Sequence, residues 1–144
     1  MSVPKAVIHT DLFIDHLWGK RTPSLLRVAL QKFFCYTTVF QAIELFSLSR
    51  NEQDTQAIND SMAALKVLGL NAKGARRYGE LLRTAHTRNR WNLVIAGLCL
   101  ESRLPIITGK RRDFVDVAGL VVIPARLVLQ CETGADVLDT VNQE

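Results

Sequence analysis

The chain alternates short apolar runs with longer amphipathic segments. The runs "KAVIHT", "CYTT", "LPIIT" and "LVVIPA" are apolar and mostly rich in β-branched residues, and they predict short buried strands. Between them, apolar side chains recur every three or four residues, which is typical of helices that bury one face. Strands separated by helices indicate parallel βαβ units. The expected fold class is therefore α/β, with a parallel central sheet flanked by helices on both faces.

Capping side chains mark the starts of several predicted helices. Asp11 precedes the first, Thr22 precedes the second with Pro23 at its first helical position, and Asn92 precedes a later one. Asp15 lies one turn beyond Asp11, on the same face of that helix. The other helical segments predicted by the pattern are residues 39–49, 54–70, 71–88 and 134–141.

Composition narrows the class of protein. A chain of 144 residues is expected to form a single domain, 1–144, and its 48% of apolar residues favours a packed core. The three cysteines show neither disulfide nor zinc spacing, which favours a reducing, cytoplasmic location. The longest charge-free apolar run, Leu93–Leu100, is too short to cross a membrane, and the N-terminal residues do not have the pattern of a signal peptide.

The cations form two groups along the chain, within a net charge of +4. Lys110–Arg112 follows a predicted strand, where α/β sheets usually bind ligands. Residues 73–90 carry six cations against one acid, Glu80, which suits either phosphate binding or a solvated helix face. Tyr78 and Trp91 either stack on unpaired bases or pack in the core. The candidate RNA-binding residues are Arg76, Arg77, Arg83, Arg111 and Arg112.

Three blocks carry a resemblance to a known family. They are "AVIHTDLFIDHL", "TTVFQAIELF" with its acid Glu44, and "NLVIAGLCLESRLPIITGKRRDFVDVAGLVVI" with its Leu-Pro strand and Asp-Phe pair. In order and spacing, these blocks resemble a PIN domain of the VapC-like toxin group. The resemblance implies a single PIN-like domain, the family's Mg²⁺-dependent endoribonuclease activity, a homodimer and a small antitoxin-like protein partner.

The same resemblance implies that the family's four acid positions fall on His9, Glu44, Asn92 and Lys110. Carboxylates at such positions hold Mg²⁺, a hard cation that prefers oxygen ligands and activates water. In this chain Glu44 alone is a carboxylate, and Lys110 brings a positive charge. We therefore expect no metal or other cofactor and impaired catalysis, with a retained role in binding RNA or an antitoxin-like protein.

Two alternatives remain open at this point. An active endoribonuclease would use the displaced acids Asp11, Glu44 and Asp113 with Mg²⁺ or Mn²⁺, whereas a structural subunit would act by dimerisation alone. If the site is degenerate, a partly buried carboxylate still needs a cation. Lys110 is therefore expected to replace the metal by pairing with Glu44, with Asn92 as a further acceptor.

Overall fold

A computed structural model of the chain describes residues 3–84 and 89–143. Five strands, eight α-helices and two 3₁₀ turns are found in these ranges, and none of the helices there is long and apolar enough to cross a membrane. The strands are β1 Lys5–Ile8, β2 Phe34–Thr38, β3 Lys66–Leu68, β4 Ile106–Thr108 and β5 Val122–Pro124. The helices are α1 Thr10–Trp18, α2 Leu25–Lys32, α3 Val39–Ser47, α4 Glu52–Ala63, α5 Ala75–Thr84, α6 Arg90–Ser102, α7 Ala125–Gln130 and α8 Gly134–Gln143. The 3₁₀ turns are Ala72–Gly74 and Arg111–Asp113.

The five strands form one parallel sheet in the order β3-β2-β1-β4-β5. β1 is central, and its Val7 pairs with Tyr36 of β2 on one side and Ile106 of β4 on the other. The direction of strand addition reverses between β1 and β4. The carboxyl ends of these two strands therefore open a crevice at the switch point, where α/β proteins usually place their ligands.

Alternating strand residues build a separate core on each face of the sheet. Ala6 and Ile8 of β1 face one core with helices α1, α2 and α7, whereas Val7 faces the other core with α6. Ile107 and Ile106 of β4 divide in the same way. Strands buried on both faces are continuously apolar, which explains the short runs in the sequence. The predicted α/β fold, with helices on both faces of a parallel sheet, is confirmed.

The two elements that the sequence pattern did not predict, β3 and α7, are short, and each follows the preceding element almost directly along the chain. The predicted helix over 54–70 is wrong at its end, because α4 stops at Ala63 and Lys66–Leu68 pairs with β2 as strand β3. The predicted strand "LVVIPA" is Val122–Pro124, and helix α7 begins at the next residue. Both junctions lack the glycine or asparagine that usually separates two elements.

The predicted helix caps are wrong at three starts. α1 begins at Thr10, so Asp11 lies within its first turn. At α2 the cap is Ser24, whose hydroxyl accepts from the Arg27 N–H, and Asp15 accepts from the Leu25 N–H at 2.8 Å. At α6 the cap is Asn89. Each true cap lies within three residues of the predicted one. The side chains that are not caps are free for other contacts.

Two glycines let α5 lie against α6. A Cβ on Gly97 of α6 would meet the Tyr78 ring at 2.6 Å, and one on Gly74 would meet the Tyr78 hydroxyl and the Glu101 carboxylate. The Tyr78 hydroxyl donates a hydrogen bond to Glu101, and the Tyr78 side chain is only 7% exposed. Burial and then Glu101 raise the pKa of Tyr78 to about 12. Tyr78 therefore fixes α5 onto α6.

Gly97→Ala should destabilise the protein by about 1–3 kcal/mol, because the added methyl overpacks the contact with the Tyr78 ring. The control is Gly79→Ala on α5, where a Cβ meets nothing within 4 Å. That variant should gain about 0.5–1 kcal/mol from helix propensity. Urea unfolding of both variants measures the difference, and equal stability of the two would contradict this packing.

Candidate functional site

The crevice between β1 and β4 brings four polar side chains together. His9 follows β1, Thr108 ends β4, Asn92 lies in the first turn of α6 and Asp113 ends a 3₁₀ turn. His9 is 5%, Asn92 4% and Thr108 0% exposed. Buried polar groups need hydrogen-bond partners, since an unpaired one costs free energy. The contacts among these four residues therefore define the candidate site.

The His9 imidazole is the centre of the site. Its Nδ1 lies 2.9 Å from the Thr108 hydroxyl, and its Nε2 lies 3.1 Å from Oδ1 of Asn92. The Asn92 amide nitrogen faces Asp113 at 3.5 Å, so the amide oxygen is the atom turned toward His9. Nε2 must then carry a proton to donate to that oxygen. The Phe114 ring packs edge-on against the imidazole, with centroids 4.9 Å apart.

Asp11 lies beside His9 and holds the loop that follows β4. Its Oδ2 accepts a hydrogen bond of 2.7 Å from the Gly109 N–H, an approach that a Cβ at position 109 would block. Its Oδ1 is buried without a hydrogen-bond partner, 3.4 Å from Nδ1 of His9. Burial raises the pKa of Asp11, but His9, the Gly109 N–H and the Lys110 charge outweigh it and lower that pKa below its ordinary value of 3.8.

Glu44 has a different partner from the one predicted. Its Oε1 accepts a hydrogen bond of 2.7 Å from the Thr10 hydroxyl. Within the described ranges, no hydrogen bond or ion pair joins Glu44 to His9, Asn92 or Lys110. Glu44 therefore lies half-buried on α3, at the border of the network around His9.

The predicted Lys110–Glu44 pair is wrong. Lys110 is exposed, and its ammonium makes no ion pair with a described acid. Its backbone N–H donates to the Thr108 hydroxyl at 2.9 Å, and the chain then enters the 3₁₀ turn. The Thr10 hydroxyl gives Glu44 a hydrogen-bond donor, and a half-buried carboxylate needs such a donor but not necessarily a positively charged partner. Lys110 affects the site through its charge near Asp11.

The residues present do not fit a divalent metal site. Both ring nitrogens of His9 are taken by Thr108 and Asn92, and Lys110 offers no ligand atom in its charged form. In the part of the chain described, no group of three or more His, Cys, Asp or Glu side chains is placed to hold an ion. The unpartnered Oδ1 of Asp11 is only one ligand atom, whereas Mg²⁺ requires several oxygen ligands.

The predicted basic residues lie on two elements. Arg111 and Arg112 are exposed in the 3₁₀ turn beside the site. Of the two readings left open for Tyr78, core packing is the one observed, because its side chain is buried between α5 and α6, whereas Trp91 is 46% exposed against Phe40. The remaining candidates lie exposed on α5: Arg76, Arg77 and Arg83.

Sequence reasoning missed three residues that shape the site. Thr10 donates a hydrogen bond to Glu44, and the Gly109 N–H donates one to Asp11. Asn89 caps α6, so the Asn92 side chain is available to His9. A signal existed for Asn89, because two asparagines three residues apart are both eligible caps. Local sequence gives no signal for the contacts of Thr10 and Gly109, which join segments far apart in the chain.

Comparison with solved structures shows that the fold is a PIN-domain, VapC-like one. The sequence has no significant match to any protein-family model or curated protein. Among solved structures, it is similar to VapBC2 from Rickettsia felis bound to a promoter DNA fragment, with a TM-score of 0.70 and 16% identity over 82% of this chain and 96% of that chain. VapBC-1 from nontypeable Haemophilus influenzae gives a TM-score of 0.70 and 19% identity over 85% and 98%. VapBC-5 from Mycobacterium tuberculosis gives a TM-score of 0.56 and 18% identity over 83% of this chain and 98% of that chain.

Asp11→Ala should lower the free energy of unfolding by about 1–3 kcal/mol at neutral pH, because the charged acceptor of the Gly109 N–H is lost. The folded-state pKa of Asp11 lies below its ordinary value of 3.8. Its contribution is therefore complete well above pH 3.8 and disappears as the pH falls through the folded-state pKa. Urea unfolding at a series of pH values measures it.

The control for this variant is Asp139→Ala, an exposed acid on α8. Its effect should be within about 0.5 kcal/mol at every pH. A stability difference between wild type and Asp11→Ala that stays constant into acid would contradict the role given to the Asp11 charge.

Thr108→Val should cost about 1–3 kcal/mol, because the hydroxyl that contacts both His9 and the Lys110 N–H is removed without changing the side-chain shape. Lys110→Ala should change stability by no more than about 0.5 kcal/mol, since its side chain is exposed. Urea midpoints of the two variants compare them directly. A larger loss for Lys110→Ala than for Thr108→Val would restore the ion-pair interpretation.

Proposed function

We propose that this protein is a VapC-like PIN-fold protein that has lost metal-dependent RNA cleavage and acts by binding RNA or a small antitoxin-like protein. The observation that carries the proposal is the closed hydrogen-bond network around His9. His9 bonds to Thr108 and Asn92, and the Asn92 amide faces Asp113, at the position where the family's chemistry needs open carboxylates. A cation there would have to break these bonds before finding ligands.

Charge supports the same conclusion. A metal site gains its affinity from several carboxylates held together. Here Asn92 and Thr108 are neutral, Asp11 lies beside His9, and Asp113 faces the Asn92 amide. Lys110 places a positive charge close enough to affect Asp11. Mg²⁺ would therefore meet two acids that each already accept one hydrogen bond, beside the positive charge of Lys110.

Two observations support binding to a protein partner. The structural neighbours include a toxin–antitoxin complex from Klebsiella pneumoniae, with a TM-score of 0.64. Ile43 and Phe46 are 50% and 38% exposed, and their spacing places them on one face of α3. Exposed apolar faces of this kind mark sites of protein association. The proposal therefore includes a homodimer or an antitoxin-like partner.

The second candidate is an active endoribonuclease using Asp11, Glu44 and Asp113 with Mg²⁺ or Mn²⁺. The observation in its favour is the buried Oδ1 of Asp11, which has no hydrogen-bond partner. Asp113 and Glu44 are instead engaged by Asn92 and Thr10. This candidate requires all three carboxylates to turn toward a common point, so we place it second.

The wild-type protein should show no tight binding of Mg²⁺ or Mn²⁺ and no metal-dependent cleavage of single-stranded RNA. The reason is the lack of converging carboxylates. Calorimetry and a cleavage assay with and without chelator test both statements. Binding of micromolar order, about −8 kcal/mol, or cleavage that disappears in Glu44→Ala, would favour the second candidate.

A repaired site should gain what the wild type lacks. The triple variant His9→Asp, Asn92→Asp, Lys110→Asp supplies acids at every position where the family has them, and it should bind Mn²⁺ in calorimetry. Without metal it should be less stable than wild type, because the carboxylates repel one another. The control is Lys20→Asp with Arg21→Asp, which lowers the net charge equally on exposed residues before α2. A folded triple variant that binds no more Mn²⁺ than this control would contradict the assignment of these positions.

A further inference from the structure

A basic groove lies on the outer surface of α5 and α6, on the helix pair that covers one face of the sheet. Two adjoining depressions of about 590 and 430 Å³ form it, and both are lined by Arg77, Glu80 and Leu100. We call it the α5–α6 groove. Its cations, all exposed, are Lys73, Arg76, Arg77, Arg83 and Arg103.

The two acids of the groove do not neutralise it. Glu80 accepts from Nε of Arg76 at 3.2 Å, but that arginine side chain is 92% exposed, and such surface pairs are weak. The Glu101 carboxylate accepts a hydrogen bond from the hydroxyl of the buried Tyr78. The other four cationic side chains make no hydrogen bond or ion pair with the described residues, so their charges are available to a ligand.

The positions of these cations form a row along the groove. Arg76, Glu80 and Arg83 recur at spacings of four and three and share one side of α5. At a rise of about 1.5 Å per residue, Arg76 and Arg83 are about 10 Å apart along the helix axis. A single nucleic-acid strand advances about 3.4 Å per phosphate in B-form. Arg76 and Arg83 can therefore contact different phosphates of one strand.

Arg103 extends the row beyond the end of α6. It caps that helix with a left-handed backbone, φ 56°, a conformation that usually favours glycine. The chain thus carries an arginine where glycine is the less strained choice. Its side chain lines the groove together with Lys73.

The chemistry of the groove fits phosphate better than it fits an acidic protein. Four of its five cations are arginines, whose planar guanidinium groups bind phosphate oxygens in pairs. Leu81 and Leu100 form an apolar floor, and no exposed aromatic side chain lines the groove. Protein interfaces are usually anchored by aromatic and apolar side chains. A row of arginines without such anchors is typical of contacts to the nucleic-acid backbone.

We propose that the α5–α6 groove binds the phosphate backbone of single-stranded RNA through Lys73, Arg77, Arg83 and Arg103, independently of the pocket around His9. The inference rests on the proposed function in taking RNA as the ligand, but it needs neither a metal nor its absence. Recognition through phosphates is independent of base sequence and strongly dependent on salt.

The test is fluorescence anisotropy of the full chain with a labelled oligouridylate of about 16 nucleotides, in chelator, over a range of salt concentrations. With four phosphates neutralised, the logarithm of the affinity should fall with that of the salt concentration with a slope of about −3. Arg77→Gln with Arg83→Gln should bind more weakly and reduce the slope by about 1.4. Arg77→Lys with Arg83→Lys should keep the slope, because it keeps the charges.

The matched control is Lys20→Gln with Arg21→Gln, which removes two exposed cations outside the groove. It should leave both the affinity and the slope unchanged. Equal loss in the groove and control variants, or no salt-dependent binding by wild type, would overturn the proposal. Polyglutamate that competes as well as unlabelled oligouridylate of equal charge would also overturn it, in favour of an acidic protein partner. Because chelator removes divalent ions, none of these results depends on whether the His9 pocket holds a metal.

Discussion

The hydrogen bonds of the His9 imidazole are the constraint on which the rest of the site depends. His9 follows the central strand and is buried where β1, β4 and α6 meet, so its two ring nitrogens need partners from separate parts of the chain. Thr108 supplies one and Asn92 the other. These bonds fix the ends of two strands and the start of α6 against one another. His9 therefore joins three elements of the fold at one point.

That arrangement explains why the chain keeps the fold without the acids. Several carboxylates at one sheet edge repel one another unless a cation lies between them. Hydrogen bonds among an imidazole, an amide and a hydroxyl avoid this repulsion, and Asp11 keeps its charge by accepting the Gly109 N–H near Lys110. We propose that these hydrogen bonds hold this edge of the fold without a metal. Binding of RNA or of a protein partner, the role we propose, falls to other surfaces, such as the exposed face of α3 and the α5–α6 groove.

The fold was largely predictable from sequence, whereas the contacts of the site were not. Continuous apolar runs such as "KAVI" identify buried parallel strands, and the spacing of three blocks indicated the PIN-like order of elements. Strand β3 was not predicted, because its three residues follow α4 without a turn signal. Lys110 was assigned a partner by position, yet the direction of its side chain depends on a 3₁₀ turn. Thr10 and Glu44 are 34 residues apart in sequence, and no local pattern predicts the hydrogen bond between them.

The central proposal is that the pocket at the carboxyl ends of β1 and β4 is closed by hydrogen bonds and takes no metal. The most direct measurement is anomalous diffraction from a crystal of the wild-type protein grown in Mn²⁺. The account predicts no anomalous peak in the space bounded by His9, Glu44, Asn92 and Asp113, with His9 still bonded to Thr108 and Asn92. An ordered Mn²⁺ peak there, coordinated by carboxylates of Asp11, Glu44 or Asp113, would contradict it.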